Sequence, residues 1–348
     1  MLLVIYLFTN SLFLSKYLPR FTNNYPYLII FYIILILLFF SLRKKIIKIK
    51  PPRYFFFIFS LLLAFLIFLL LKGTNPRDFR VGRYLALWEW NEKFLKGIFP
   101  YGGPTRPSGF PFLFLFSLPF YLLGDLGLLQ IFGFLLFTYL LSSKKGNFFG
   151  TILLILSPVF LFEVITRSEL FTNLTLILAY LLLYQKKEKK IKEKFLLPYG
   201  ILGGFFLATR GIVLFPYLLF FPFHFKGEWR KGLIFLLGLS IGFLSLNLPF
   251  LLWDKECFIK EGPFSIQTAY LPNWLLPFLL FFSFLAIRIW RREDSYPLIA
   301  FFLFFIVCVS FLLALINYGF SALLFQSRFD ISYFIFPFPF LLYSLTEG

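Results

Sequence analysis

Charge is scarce in this chain: only 14% of its 348 residues are Asp, Glu, Lys or Arg, and they come in clumps. A water-soluble domain carries about a quarter of its residues as charges, so a sizeable one is excluded. There is one histidine, His224, in a basic stretch. That rules out a histidine metal cluster and argues against a nucleophile activated by histidine. Two cysteines, Cys257 and Cys308, define no disulfide framework. Carboxylates are few, 16 against 34 Lys and Arg, for a net charge of +18. In a soluble protein such an excess points to nucleic acid; in a chain of apolar runs it marks anchored cytoplasmic loops, and no nucleic-acid partner is expected.

What fills the chain is apolar: 60% of residues are hydrophobic and 57 are Phe. Between the charged clumps lie apolar runs of roughly 15–20 residues, the length a helix needs to cross ~30 Å of hydrocarbon. They lack the period-2 alternation of barrel strands, so they read as helices. The expectation is an all-α polytopic membrane protein with about 12 transmembrane helices. The spans are 1–15, 27–42, 54–72, 127–143, 148–164, 170–184, 195–209, 211–223, 233–252, 274–289, 297–316 and 331–345. The first lacks a basic n-region and a small-residue cleavage site, and reads as a short retained span. Gly238 and Gly242 match a helix-packing pattern. No internal repeat is visible. The chain divides into an N-terminal helical hairpin with a basic loop, 1–53, and a core, 54–348.

Basic clumps set the orientation. They fall at 43–53, Lys144 and Lys145, 186–194, 226–231, and Arg291 with Arg292. The positive-inside rule puts all of them in the cytoplasm, provided that 110–124 does not cross. Pro111, Pro119 and Gly124 suit a segment that dips or lies at the interface.

The one long polar segment is then the external loop 73–109. Asp78 can cap the helix that follows, over 79–96, which places Val81, Leu85, Trp88 and Leu95 on one face. Trp88 and Trp90 belong at headgroup level, and Gly97 ends the helix. Glu89 and Glu92 share a face, as acidic ligands or as a solvated face paired with Lys93 and Lys96. Later come Glu163 and Glu169, where Arg167 can pair with either to close a tight hairpin. Arg210 and Arg328 stand alone at helix ends. They suit a phosphate, or else reach the headgroups by snorkelling.

The order of these features resembles the GT-C superfamily of membrane glycosyltransferases, which includes the protein O-mannosyltransferases and the aminoarabinose transferases. The likeness rests on an acidic residue opening the first external loop (Asp78), an amphipathic helix, a Gly-x-x-Pro-Tyr turn ending at Tyr101, and a Pro-rich entry to an apolar helix ending at Gly124. It continues through Arg167 and Glu169, the Gly-rich run to Arg210, and the close from Arg328 through Tyr333 to Pro337. A plain Asp-Glu pair and a soluble C-terminal domain are lacking, and the spans before Tyr54 have no counterpart.

The resemblance implies a GT-C-like bundle in the cell (inner) membrane with its active face outside. A polyprenyl-phosphate sugar would be the donor, and a glycan, lipid or protein the acceptor. Asp78 would be the base, or would hold an assisting divalent metal ion, the only cofactor in view. Glu169 would orient the acceptor, Arg210 and Arg328 would meet the phosphate, and Glu89, Glu92 and Tyr101 would line the substrate site. The alternatives are a lipid-linked glycan transporter or flippase, an O-antigen polymerase or ligase, and a non-catalytic scaffold. A transporter calls for broken helices or midplane charges and a two-fold repeat, and the sequence displays neither.

Overall fold

A computed structural model describes residues 1–48, 52–79, 82–187, 193–225, 227–268, 274–289, 295–324, 326 and 329–346. Among the described residues every regular element is a helix. An apolar pair opens the chain, α1 (Leu2–Tyr17) and α2 (Tyr25–Ser41), followed by the short basic α3 (Arg43–Lys48). Then come α4 (Arg53–Lys72), α5 (Gly82–Leu95), α6 (Pro111–Leu122) and α7 (Leu128–Leu141). The middle holds α8 (Asn147–Ile155), α9 (Pro158–Ile165), α10 (Leu170–Lys187), α11 (Leu196–Leu207) and α12 (Leu214–His224). The last part holds α13 (Trp229–Trp253), α14 (Lys255–Lys260), α15 (Pro263–Thr268) and α16 (Leu275–Ile289). It closes with α17 (Ser295–Tyr318), α18 (Phe320–Leu324) and α19 (Phe338–Leu345).

Among the described residues four stretches are long and apolar enough to cross a membrane: Leu2–Arg20, Arg53–Lys72, Trp229–Trp253 and Ser295–Tyr318. The pair α8–α9 makes a fifth if counted as one span, bent by 65°. Five apolar helices of 10–17 residues accompany them. The bend departs from the unbroken span expected over 148–164. Pro158 lacks the N–H that would continue the ladder, and Ser157 caps the second half by accepting from Phe160 N. The carbonyls freed at the break take hydroxyls from the N-terminal hairpin: Tyr6 donates to Leu153 O (2.7 Å) and Tyr32 to Leu156 O (3.2 Å). Ser157 in turn donates to Asn10 Oδ1 at 2.8 Å. The hairpin is therefore built into the bundle, and Ile5, Tyr6, Phe13 and Ile36 share one core with Phe137, Phe171 and Leu303.

Contacts at the helix ends sort the loops into two groups. At one end Arg43 donates twice to Leu345 O, Lys144 lies 4.3 Å from the Tyr343 ring, and Tyr296 donates to Gln185. Tyr184 reaches Phe225, and Arg230 meets Glu193. The basic clumps that fall on described residues thus collect at one end. At the opposite end lie the loop 73–109, the connections α6–α7, α9–α10 and α11–α12, and the chain around Asp330.

The short helix α6 begins and ends at that second end. Its first N–H groups pair with the last carbonyls of α11, Phe110 N with Thr209 O (2.9 Å) and Phe112 N with Ala208 O (3.0 Å). Each helix terminus thereby satisfies the other's orphan groups. Beyond its far end, Asp125 meets Arg167 and Lys72. Twelve residues rise only about 18 Å in any case.

The helices α11 and α13 pack backbone to backbone. A Cβ on Gly204 would lie 2.2 Å from Leu239 O, and one on Gly242 2.2 Å from Ile201 O. Gly200 and Gly238 are as tight, so the small-residue pattern at Gly238 and Gly242 is matched across the interface.

Candidate functional site

The loop helix α5 differs from its expected orientation. Its buried face is Ala86, Leu87, Trp90 and Asn91, whereas Leu95 is exposed and Leu85 and Trp88 are half-buried. Trp90 is sealed, stacked on Phe114 at 4.7 Å, instead of lying at headgroup level. The reason is α6, which folds back over α5 and forms a small core with it, joined by Tyr101, Phe250 and Phe258. The helix ends as expected at Gly97, whose φ of +68° lets Ile98 N reach Lys93 O.

The substrate residues expected on this loop have other partners. Glu89 accepts from Thr105, and Glu92 pairs with Lys96 on the exposed face. Lys93 instead donates to Gly102 O, and Tyr101 is buried with its hydroxyl on Gly109 O. Burial drives the Tyr101 phenol's pKa well up, so it stays protonated and staples the turn. Asp78 is exposed and lies in the turn Pro76–Phe79, four residues before α5; its carboxylate accepts from Asn75 Nδ2 (3.3 Å). It does not contact Glu169 or Arg210. Arg328 lies outside the described residues.

The buried charges centre on the α9–α10 connection. Arg167 was expected to pair with Glu163 or Glu169, and it pairs with neither. Its backbone is left-handed, φ +52°, which turns the side chain toward Asp125 (3.0 Å) and the carbonyls of Leu71 and Thr74. Glu163, fully buried, takes Arg83 at 2.9 Å, and Arg83 also donates to Ser168 and Ser332 at 2.7 Å and to Asp330. Glu169 takes Arg210 instead, with both side chains at most 5% exposed. Glu163 in the last turn of α9, and Arg167 and Glu169 in the connection after it, thus reach three different segments: α5, the α6–α7 turn and the α11–α12 turn.

The Arg83 cluster is the better supplied, with Glu163 Oε2 its one sealed atom without a hydrogen-bond partner among the described residues. Burial disfavours the charge on Arg83, but the carboxylates of Asp330 and Glu163 outweigh that and raise its pKa. Burial likewise pushes Asp330 up, yet Arg83 and two bonds from Ser332 hold its carboxyl below the usual value. The Glu169 pair is undersupplied by comparison. Among the described residues, Glu169 Oε2, Arg210 Nε and both amide atoms of Asn173 are sealed without a hydrogen-bond partner. Buried polar groups are rarely left so, and four together call for a bound water or ligand group. Glu169 and Asn173 line a crevice of about 10 Å³ with Thr172, Thr209, Leu113 and Phe116. That is room for about one water or one hydroxyl group. Beside it, Arg210 approaches Ser108 Oγ at 3.4 Å, and Gln267 ties Gly211 N to Ser108 O.

Glu163, Glu169 and Arg210 had sequence signals, being lone charges at helix ends. Arg83 was one of six loop cations with nothing to single it out, and Asp125, Asp330 and Asn173 gave no warning. Among the described residues no three His, Cys, Asp or Glu side chains come together to hold a metal ion. Asp78, whose carboxylate accepts from Asn75, belongs to no such group. The chain matches no family model, no curated protein and no solved structure.

Proposed function

We propose that this chain is a multi-pass membrane glycosyltransferase of the GT-C kind, moving a sugar from a polyprenyl-phosphate donor to an acceptor hydroxyl. The observation that carries the reading is the sealed Glu169–Arg210 pair beside a crevice of hydroxyl size, its free oxygen next to Asn173. It lies at the end opposite the basic clumps. With those clumps in the cytoplasm, the site belongs to the external face of the cell membrane. The four span-length apolar helices, the bent pair α8–α9 and the shorter apolar helices, with α6 taken as a dip, are what the multi-pass reading of about twelve crossings builds on.

The chemistry needs little from the protein. The acceptor oxygen attacks the anomeric carbon, the bond from that carbon to the phosphate oxygen breaks, and polyprenyl phosphate leaves with the bond's electrons. The acceptor's proton passes to a carboxylate. Geometry ranks two carboxylates for that role: Glu169, whose free oxygen is at the crevice, ahead of exposed Asp78. Arg210, held beside the crevice by Glu169, would meet charge growing on the leaving phosphate. Glu89, Glu92 and Tyr101, engaged elsewhere, hold the loop in shape.

The test is release of polyprenyl phosphate by the purified full chain from polyprenyl-phosphate sugars. Glu169→Gln is expected to abolish release in a protein that still folds, while Asp78→Asn retains it; the reverse pattern transfers the base role to Asp78. If the wild-type protein releases nothing from any such donor while an added acceptor is present, the reading fails.

One observation favours a second reading, a flippase for a lipid-linked glycan: the 65° break between α8 and α9. Against it, the break is closed by Asn10, Tyr6 and Tyr32. Movement of a fluorescent lipid-linked sugar across vesicles holding the protein, without its consumption, would favour the flippase.

A further inference from the structure

The last turn of α1 carries a lysine that the site described above does not use. Lys16 is 2% exposed, and among the described residues its amine makes no ion pair and no hydrogen bond. Its one close partner is the face of the Tyr17 ring, 5.6 Å away, which Arg20 shares from 5.2 Å. The side chain is almost wholly covered, and against the cost of drawing an ammonium largely out of water a ring face returns only about 0.5–2 kcal/mol.

The surroundings say what is missing. Tyr17 packs on Phe162 at 4.9 Å, which sets the end of α1 against the Glu163 turn of α9. Tyr17 lies within electrostatic reach of Arg20, Arg83, Glu163 and Asp330, and Lys16 within reach of Asp330 and Arg20. Both carboxylates are already taken by Arg83. Three cations therefore share two carboxylates, and one positive charge is left over. The cluster opens on the Asp330 side, where that side chain is 41% exposed and Arg20 lies at the surface.

We propose that Lys16, assisted by Arg20, binds a phosphate monoester or diester anion, so that the N-terminal helix forms one wall of the substrate site. The proposal rests on the glycosyl-transfer reading for its natural occupant, the phosphate of the polyprenyl carrier. A membrane phospholipid headgroup offers the same chemistry. An ammonium with Tyr17 beneath it and Arg20 beside it can take one phosphate oxygen while the neighbouring arginine takes another. It also explains why two helices with no counterpart in the resemblance are fastened so firmly to the core by Tyr6, Asn10 and Tyr32.

The test is equilibrium binding to the purified full chain in neutral detergent, comparing a polyprenyl phosphate with the polyprenol of equal length. Phosphatidylglycerol and inorganic phosphate serve as competitors. The wild-type protein is expected to prefer the phosphate by about 10-fold or more, the value of a charge-assisted contact. Lys16→Met, which keeps the buried volume, should erase most of that preference without lowering thermal stability, and Lys16→Arg should keep it. Competition by inorganic phosphate but not phosphatidylglycerol assigns the site to the carrier; equal competition by the phospholipid assigns it to a headgroup. A Lys16→Met protein with the wild-type preference overturns the proposal and leaves the transferase reading intact. A preference lost in Lys16→Met, in a protein that turns over no sugar donor, upholds the anion site and sinks the transferase.

Discussion

The two ends of the bundle carry their charges in opposite ways. At the basic end the ion pairs are loose: Arg230 is 78% exposed where it meets Glu193, and Lys231–Glu228 is half in solvent. The hollow there, about 240 Å³, is flanked by these same side chains and faces open water. At the other end Arg83, Arg167 and Arg210 are each at most 10% exposed and reach carboxylates from distant parts of the chain. Charges at the first end need only stay on their side of the membrane, and any position in the loop serves. At the second end each of these three arginines has a specified partner, because an error there leaves an ion buried alone.

That contrast can be broken by experiment. The largest effect is expected from Arg83→Met, which strands Glu163 and Asp330 together. Thermal or denaturant unfolding in detergent should show a loss of about 3–5 kcal/mol. A loss no greater than that of an exposed pair would erase the distinction between the ends. Next is Arg167→Ala, which frees Asp125 and the Leu71 and Thr74 carbonyls and should cost about 2–3 kcal/mol. Arg167→Gly loses the same bonds but removes a side chain from a left-handed residue. It should therefore be milder than Arg167→Ala by about 1 kcal/mol.

Acid provides a finer probe. Asp330's carboxyl titrates below its ordinary value, so its bond to Arg83 adds stability at neutral pH. The contribution is full above the unfolded value of about 3.9 and is lost as pH falls from there through the lower folded value. The melting-temperature gap between wild type and Asp330→Asn should thus be constant from pH 7 to about pH 5 and close below about pH 4. A gap that closes near pH 6 would contradict this. The smallest effect belongs to the basic end: Arg230→Gln should change stability by no more than about 0.5 kcal/mol.

Much of this layout was legible in the sequence, for reasons that differ by residue. The clumped lysines and arginines announced one end because topology depends on local charge alone. Pro111, Pro119 and Gly124 announced that α6 turns back, because proline and glycine act on the backbone where they stand. Gly97 ended α5 for the same reason. The face of α5 was misread, since the choice between its two moderately apolar faces was made by α6, a separate segment. The pairing of Arg167 was misread too. Nearness in sequence favoured Glu163 or Glu169, but a left-handed backbone at Arg167 turned its side chain toward Asp125 instead. Arg83 could not be told from its neighbours in the loop, because its partners lie 80 and 247 residues away.

By itself, then, the sequence determined an apolar helical protein, a basic end, and an opposite end where lone charges sit at helix termini. These follow from hydropathy, helix length and local backbone chemistry, all of which act over a few residues. Only the tertiary structure decided which carboxylate each arginine meets and that Glu169 is left with an unmet oxygen beside Asn173. It also decided that Lys16, on a helix that looked accessory, ends beside the Arg83 cluster without an anion. Ion pairing in a buried site is set by through-space distance, and distance between helix ends appears only when the helices have packed.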